Sequence, residues 1–139
     1  MKLPRLVLLA LFTSCLLGSR VLAEEEESAV DQQMKVMGRG MKKLSVQLAD
    51  SAEKDASLEV IARIRKAVAE ARNLQPSGAE ERQGEEREAY MKTYLQGLEE
   101  LDEKFATMEK AVADGDAAAA QKAFDDANAL KKKYHSELR

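Results

Sequence analysis

His135, the only histidine in the 139-residue chain, lies four residues from the C-terminus behind Tyr134, and Met34 opens a methionine-lined segment about one hundred residues earlier. An imidazole nitrogen and a thioether sulfur together form an axial ligand pair for a haem iron. With both axial positions filled, such a centre favours electron transfer over oxygen chemistry. Soft sulfurs at Met34, Met37 and Met41 joined by His135 are also a donor set for copper(I). Each residue has a plainer reading by itself. A histidine near a helix C-terminus interacts in its charged form with the helix dipole, and methionine commonly fills irregular cores. A ligand role requires the neutral imidazole, which acid disfavours.

Other side-chain chemistry is thin. There is no second histidine, and the single cysteine, Cys15, sits in the N-terminal apolar segment. If Cys15 leaves with a signal peptide, disulfides, Fe–S clusters, zinc-thiolate sites and the Cys-x-x-Cys-His haem attachment are all excluded. Any haem is then held without covalent bonds. The abundant carboxylates fall mainly on polar helix faces, where they are most simply solvated surface. The chain is therefore expected to be a carrier or binding protein and not an enzyme.

Residues 1–23 have the form of a cleaved signal peptide: Lys2 and Arg5, an apolar run from Leu6 to Leu17, then Val21-Leu22-Ala23 ahead of Glu24 to Glu27. The run is too short for a bilayer span of roughly twenty residues, so no membrane span is expected in the mature chain and a periplasmic location follows. A competing reading takes Phe12-Thr13-Ser14-Cys15 as a lipoprotein box, with Cys15 lipidated. The short apolar core ahead of Cys15 counts against it. Removing residues 1–23 takes away three basic groups and no acidic one, so 22 basic against 25 acidic becomes 19 against 25, a net charge near −6. That balance argues against nucleic acid, whose binding rests on phosphate neutralisation. The mature chain has no tryptophan and five aromatic residues, Tyr90, Tyr94, Phe105, Phe124 and Tyr134. A core of this size is thin, and a bound cofactor would add apolar volume.

The elements that must position these residues are helical. Met34, Met37, Met41, Leu44 and Leu48 follow 3-4-3-4 spacing, which puts them on one helix face. Leu58, Ile61, Ile64, Val68 and Ala71 form a second stripe. Met91, Tyr94, Leu98, Leu101, Phe105, Met108 and Val112 form a third, the most regular, which predicts the longest helix. Ala120, Ala123, Ala127, Leu130, Tyr134 and Leu138 make a narrow fourth seam with Phe124 along its edge. Asp55 or Ser57 is expected to cap the second helix, Pro76-Ser77-Gly78 to end it, and the acidic stretch to about Gly84 to be a loop. Asp114-Gly115-Asp116 combines a glycine stop with an aspartate start. Residues 24–30 are expected to be a solvated tail and 31–139 one domain. The fold class is all-α, an antiparallel up-down-up-down four-helix bundle. In that order the start of the first helix lies level with the end of the fourth, so Met34 and His135 meet at one end. His135 lies eleven residues past Phe124, nearly the same angular position, and hence at the edge of the apolar seam. Gly38, one turn beyond Met34, costs roughly 0.8 to 1 kcal/mol relative to alanine in a helix interior, and makes room beside a bulky group.

These residues carry a resemblance. The chain resembles the cytochrome b562 family, four-helix bundles of the periplasm that hold haem b through a methionine on the first helix and a histidine near the C-terminus. Met34 with Met37, Met41 and Leu44 is similar to the family's ligand methionine and the apolar positions after it. Tyr134-His135-Ser136-Glu137-Leu138-Arg139 is similar to its C-terminal motif, Gly115 to its inter-helix glycine, and Ile64-Arg65 and Pro76 to features of its second helix. The resemblance covers about Asp31 to Arg139. It implies one non-covalent haem b ligated by Met34 and His135, pocket walls at Met37, Gly38, Met91, Tyr94, Leu98 and Phe124, propionates near Lys131 and Arg139, and unidentified periplasmic redox proteins as partners. Three departures stand out. Tyr94 and Leu98 fall where the family has two phenylalanines, Lys131 falls where it has arginine, and the segment after Met34 is about one turn longer. A haem-free bundle of the same fold, working as an interaction or stress protein, is the main alternative, with the copper(I) binder behind it.

Overall fold

A computed structural model describes residues 27–139. The expected signal peptide over 1–23 and the Cys15 alternative lie outside the described residues. Four long helices and one short helix make up the described chain: α1 Ala29–Gln47, α2 Lys54–Arg72, α3 Ser77–Glu80, α4 Gly84–Asp114 and α5 Ala117–Glu137. There is no strand among the described residues. The protein is an all-α bundle in which the third apolar stripe does form the longest helix, 31 residues of α4.

Three local expectations need correction. The tail ends earlier than residue 30, because the Ser28 side chain accepts from the Asp31 N–H and starts α1 at Ala29, with Val30 buried. Neither Asp55 nor Ser57 caps α2. Asp50 instead caps a 3₁₀ turn, Ser51–Glu53, that runs directly into α2, and Ser57 is buried on the inner face. Further on, α2 stops at Arg72, four residues before Pro76, and the stretch expected as a loop contains α3, with Pro76 as its cap. Proline suits that position because its preset φ fits a helix start. The Asp114-Gly115-Asp116 reversal forms as expected. Gly115 has φ 74°, its N–H bonds to Val112 O, the Asp116 N–H bonds to Ala111 O, and the Asp116 carboxylate caps α5 at Ala119. This closes the last carbonyls of α4 in a Schellman pair.

The stripes supply the core. Leu44, Ile61, Ile64, Val68, Phe105 and Met108 are essentially fully buried, with the alanines of α5 providing a flat fourth wall. Specific contacts set the register. Lys54 Nζ, at the start of α2, donates to Ala113 O at the end of α4 (2.6 Å), while the Tyr94 hydroxyl, early in α4, donates to Ala71 O near the end of α2 (2.8 Å). Between them Arg65 reaches Asp102 (2.9 Å) and Glu109 (2.6 Å), and these two hydrogen-bonded carboxylates raise the guanidinium pKa further above its ordinary value. On the other side of α4, Tyr90 donates to Leu138 O (3.3 Å) and Lys104 pairs with Asp126 (3.7 Å) of α5. Helix α1 packs on α2, α2 on α4 and α4 on α5, whereas α1 and α5 hardly touch. The bundle is open along that side.

Leu44 is fully buried between α1 and α2. Leu44→Ala is expected to lower unfolding free energy by about 2–5 kcal/mol, read from urea denaturation followed by circular dichroism.

Candidate functional site

The open side leads into a cavity of about 520 Å³, within the ordinary range for small-molecule and cofactor sites. From α1 it is lined by Val30, Asp31, Met34, Met37, Gly38 and Met41. From α4 come Tyr90, Tyr94, Gly97, Leu98, Leu101 and Phe105, and from α5 Ala127, Lys131, Tyr134, His135, Leu138 and Arg139, with Ser28, Pro76 and Ser77 completing it. The buried Met37, Met41, Leu98 and Phe105 give it an apolar inner wall, while the charged lining residues Asp31, Lys131 and Arg139 are exposed.

Most residues singled out in the sequence come together here: Met34, Met37, Gly38, Tyr94, Leu98, Lys131, His135 and Arg139 share the one cavity. Met91 and Phe124 do not line it. Phe124 shares an angular position with His135 but lies eleven residues away, about 16 Å along the helix axis, and is buried in the core instead. Met91 belongs to the same stripe as Tyr94 and Leu98 but packs, partly buried, against the core without lining the cavity. Tyr90, Gly97, Leu101 and Phe105 are among the wall residues not assigned to the haem pocket from the sequence. Leu101 and Phe105 continue the Tyr94 and Leu98 stripe, and Gly97 is a costly helix-interior glycine like Gly38, so a signal for each existed. Pro76 and Ser77 carried none, because α3 reaches the cavity only through tertiary packing.

Met34 is 39 % exposed, unlike Met37 and Met41, which are buried. A methionine serving only as core filling would be covered. The His135 ring meets the Arg139 guanidinium, Nε2 to Nη2 3.3 Å. Guanidinium has no acceptor, so Nε2 is the acceptor in this contact, and its lone pair is the one a metal would take. Arg139 must leave Nε2, or the ring must present Nδ1, for His135 to ligate.

The glycines divide by what surrounds them. A Cβ on Gly40 would come within 2.5 Å of Ile64 Cγ1, and one on Gly97 within 2.7 Å of Tyr134 Cγ, so these two let α1 and α5 approach α2 and α4 closely. A Cβ on Gly38 meets nothing within 4 Å. Gly38 is helical, lines the cavity and borders open space, which is the arrangement expected where a bulky group outside the protein chain takes up room.

Two tyrosines brace the walls. Ala71 O, near the end of α2, accepts from the Leu74 N–H (3.1 Å) and takes the Tyr94 hydroxyl as a further donor. Burial, with Tyr90 close by, pushes the Tyr94 phenol up to about 12. The Tyr90 ring lies against Gly78, where a Cβ would collide with its hydroxyl, beneath the Arg82 guanidinium at 4.5 Å from the ring centroid. With its bond to Leu138 O, Tyr90 ties α3, α4 and the end of α5 together.

A non-covalent haem fits these residues. A thioether and an imidazole line one apolar cavity, open space borders Gly38, and Lys131 and Arg139 belong to the same lining. In comparison with known proteins, a family model described as Cytochrome b562 matches residues 29–139. No curated protein and no solved structure matches the chain.

Gly38→Ala is expected to stabilise the ligand-free protein by up to about 1 kcal/mol in urea denaturation. In haem titration the same variant should bind about tenfold more weakly, the equivalent of roughly 1.4 kcal/mol of overpacking. Unchanged haem affinity would remove the assigned role of Gly38. The Tyr94 phenol ionises at about 12 in the folded protein, above the ordinary value of 10. The unfolded chain therefore releases this proton first, and the stability contributed by Tyr94 is complete below about pH 10 and lost as pH rises to about 12. Tyr94→Phe should flatten that part of the stability profile and cost about 0.5–1.5 kcal/mol at neutral pH.

Proposed function

This chain belongs to the cytochrome b562 family, and from that premise we propose that it is a periplasmic electron carrier holding one non-covalent haem b between Met34 and His135. The observation that carries the reading is the convergence of these two residues, about one hundred positions apart in sequence, on one apolar cavity between helices that hardly touch. The Lys54 to Ala113, Tyr94 to Ala71 and Tyr90 to Leu138 contacts support an antiparallel up-down-up-down order, in which the start of α1 and the end of α5 share one end of the bundle. No helix among the described residues is long and apolar enough to cross a membrane.

A haem held here would supply one-electron chemistry, and a thioether ligand would favour its ferrous state. The chain's residues do the remainder. Met34 sulfur and a His135 ring nitrogen would hold the iron, and with both bound the group would supply electron transfer in place of substrate chemistry, the role of a carrier and not of an enzyme. Met37, Met41, Leu98, Leu101 and Phe105 exclude water from the deep end. Tyr94 presents its ring to the cavity while its hydroxyl stays committed to Ala71 O, so the change from the family's phenylalanine adds a helix contact without requiring an unpaired polar group. Lys131 and Arg139 supply positive charge for acidic groups at the rim, and Arg139 covers His135 Nε2 until the site is filled.

A second reading has an observation of its own, since Met34, Met37 and Met41 line the same cavity as His135 and form a soft donor set for copper(I). Absorption spectra of protein purified after periplasmic expression with haem supplied, oxidised and dithionite-reduced, separate the readings. Sharp, stoichiometric low-spin bands that disappear in His135→Ala and weaken in Met34→Ala are expected. A folded, colourless protein that refuses added haem would overturn the carrier. Copper(I) binding by that colourless protein, lost in Met37→Leu, would install the second reading.

A further inference from the structure

Cationic side chains are distributed unevenly. Helix α1 carries four basic residues against the single carboxylate Asp31, and residues 130–139 carry four against the single carboxylate Glu137. On α4 the balance is reversed, nine carboxylates against four basic residues. The two basic segments are those that flank the open side of the bundle. Lys35, Arg39 and Lys42 on α1 and Lys132 on α5 are exposed and lie outside the cavity lining. Among the described residues Lys35 pairs with Glu27 at 2.7 Å, while the other three form no salt bridge. Asp31, the carboxylate nearest to them in sequence on α1, is engaged by the Ser28 hydroxyl at 2.7 Å.

We propose that this basic collar on α1 and the end of α5 is the docking face for an acidic protein partner, which it guides onto the cavity opening. The proposal rests on the haem-carrier reading, because it brings the partner to the edge at which electrons would enter and leave. Charge complementarity selects the occupant. A protein of net charge −3 over the full sequence that carries a local excess of cations on the two segments flanking one opening orients an acidic partner and repels a basic one. The partly exposed Met34 thioether lies within the collar, giving the apolar centre and charged rim of a transient interface. An anionic membrane is the weaker match. Surface helices that bind membranes set bulky apolar side chains beside their lysines, and the large hydrophobics exposed on the described residues are Met34, Val36, Val46 and Leu95, with no aromatic ring among them.

Titration of the isotope-labelled, haem-supplied protein with poly-L-glutamate, followed by NMR, tests the proposal. Shift changes should be confined to α1 and the end of α5. The Kd should rise at least about tenfold in the triple variant Lys35→Glu, Lys42→Glu, Lys132→Glu, and also with added salt. Arg63→Glu with Lys66→Glu, two exposed positions on α2, should leave it nearly unchanged. Equal weakening in the two variants would overturn the collar, as would shift changes spread over all cationic residues. Binding to phosphatidylglycerol vesicles without binding to poly-L-glutamate would also overturn it, as would concentration-dependent self-association in sedimentation that the triple variant abolishes. Visible spectra of the same samples keep the two readings apart. Collar binding by a colourless protein would overturn the haem reading alone, and a haem-loaded protein without collar preference would overturn the docking face alone.

Discussion

Three of the four sides of this bundle are closed by side chains that fill one another's gaps, and the side between α1 and α5 is not. Interiors otherwise pack to the density of organic crystals, so along an open apolar cavity of about 520 Å³ the lining side chains have no protein neighbour on one side. Met37, Met41, Leu98, Leu101 and Phe105 line it without filling it. A flat apolar group that enters would contact them and supply the volume that a core with no tryptophan among residues 27–139 lacks. Met34 and His135, with the charged residues Asp31, Lys131 and Arg139, border this one missing helix contact.

The open side stays open because the other three are held firmly. Gly40 brings α1 close against Ile64 of α2, and Gly97 brings Tyr134 of α5 close against α4, so the outer helices are drawn toward α2 and α4 and away from each other. Each glycine lowers intrinsic helix propensity by roughly 0.8 to 1 kcal/mol relative to alanine, and close packing of bulky side chains onto the bare backbone offsets it. Polar groups fix the axial register across α4. Tyr94 and Lys54 satisfy carbonyls at opposite ends of the α2 and α4 pair, and Arg65 spans two carboxylates between them. Arg65 is partly exposed, so its ion pairs contribute little stability through solvent, but the two-carboxylate fork discriminates against a one-turn slip.

Charge follows the same division. The α2 and α4 contact is laced with paired ions, whereas α1 and residues 130–139 each carry four basic residues against a single carboxylate. A protein with evenly mixed charge would show partners no preferred face. Here Arg39, Lys42 and Lys132, exposed and without a salt bridge among the described residues, belong to the two helices that flank the cavity opening.

Much of this was legible in the sequence, because helical periodicity is a local property. The four stripes, the Asp114-Gly115-Asp116 reversal and the family resemblance follow from residue spacing, and the helices and the family match agree with them. Met34 and His135 could be paired from the sequence because helix order alone brings the two ends of the chain together. The rest depended on distances that spacing does not encode. Phe124 has the angular position of His135 yet lies three turns from it along α5, and Met91 shares a stripe with Tyr94 yet packs against the core, since a stripe specifies a direction and not a depth. Pro76 and Ser77 became wall residues only when α3 folded back onto Tyr90. Gly38 and Gly97 are alike in sequence, each a glycine within a helix. Tertiary packing alone made one the floor of an open space and the other the seat of a tyrosine ring, because what a missing Cβ permits is decided by the neighbour that arrives.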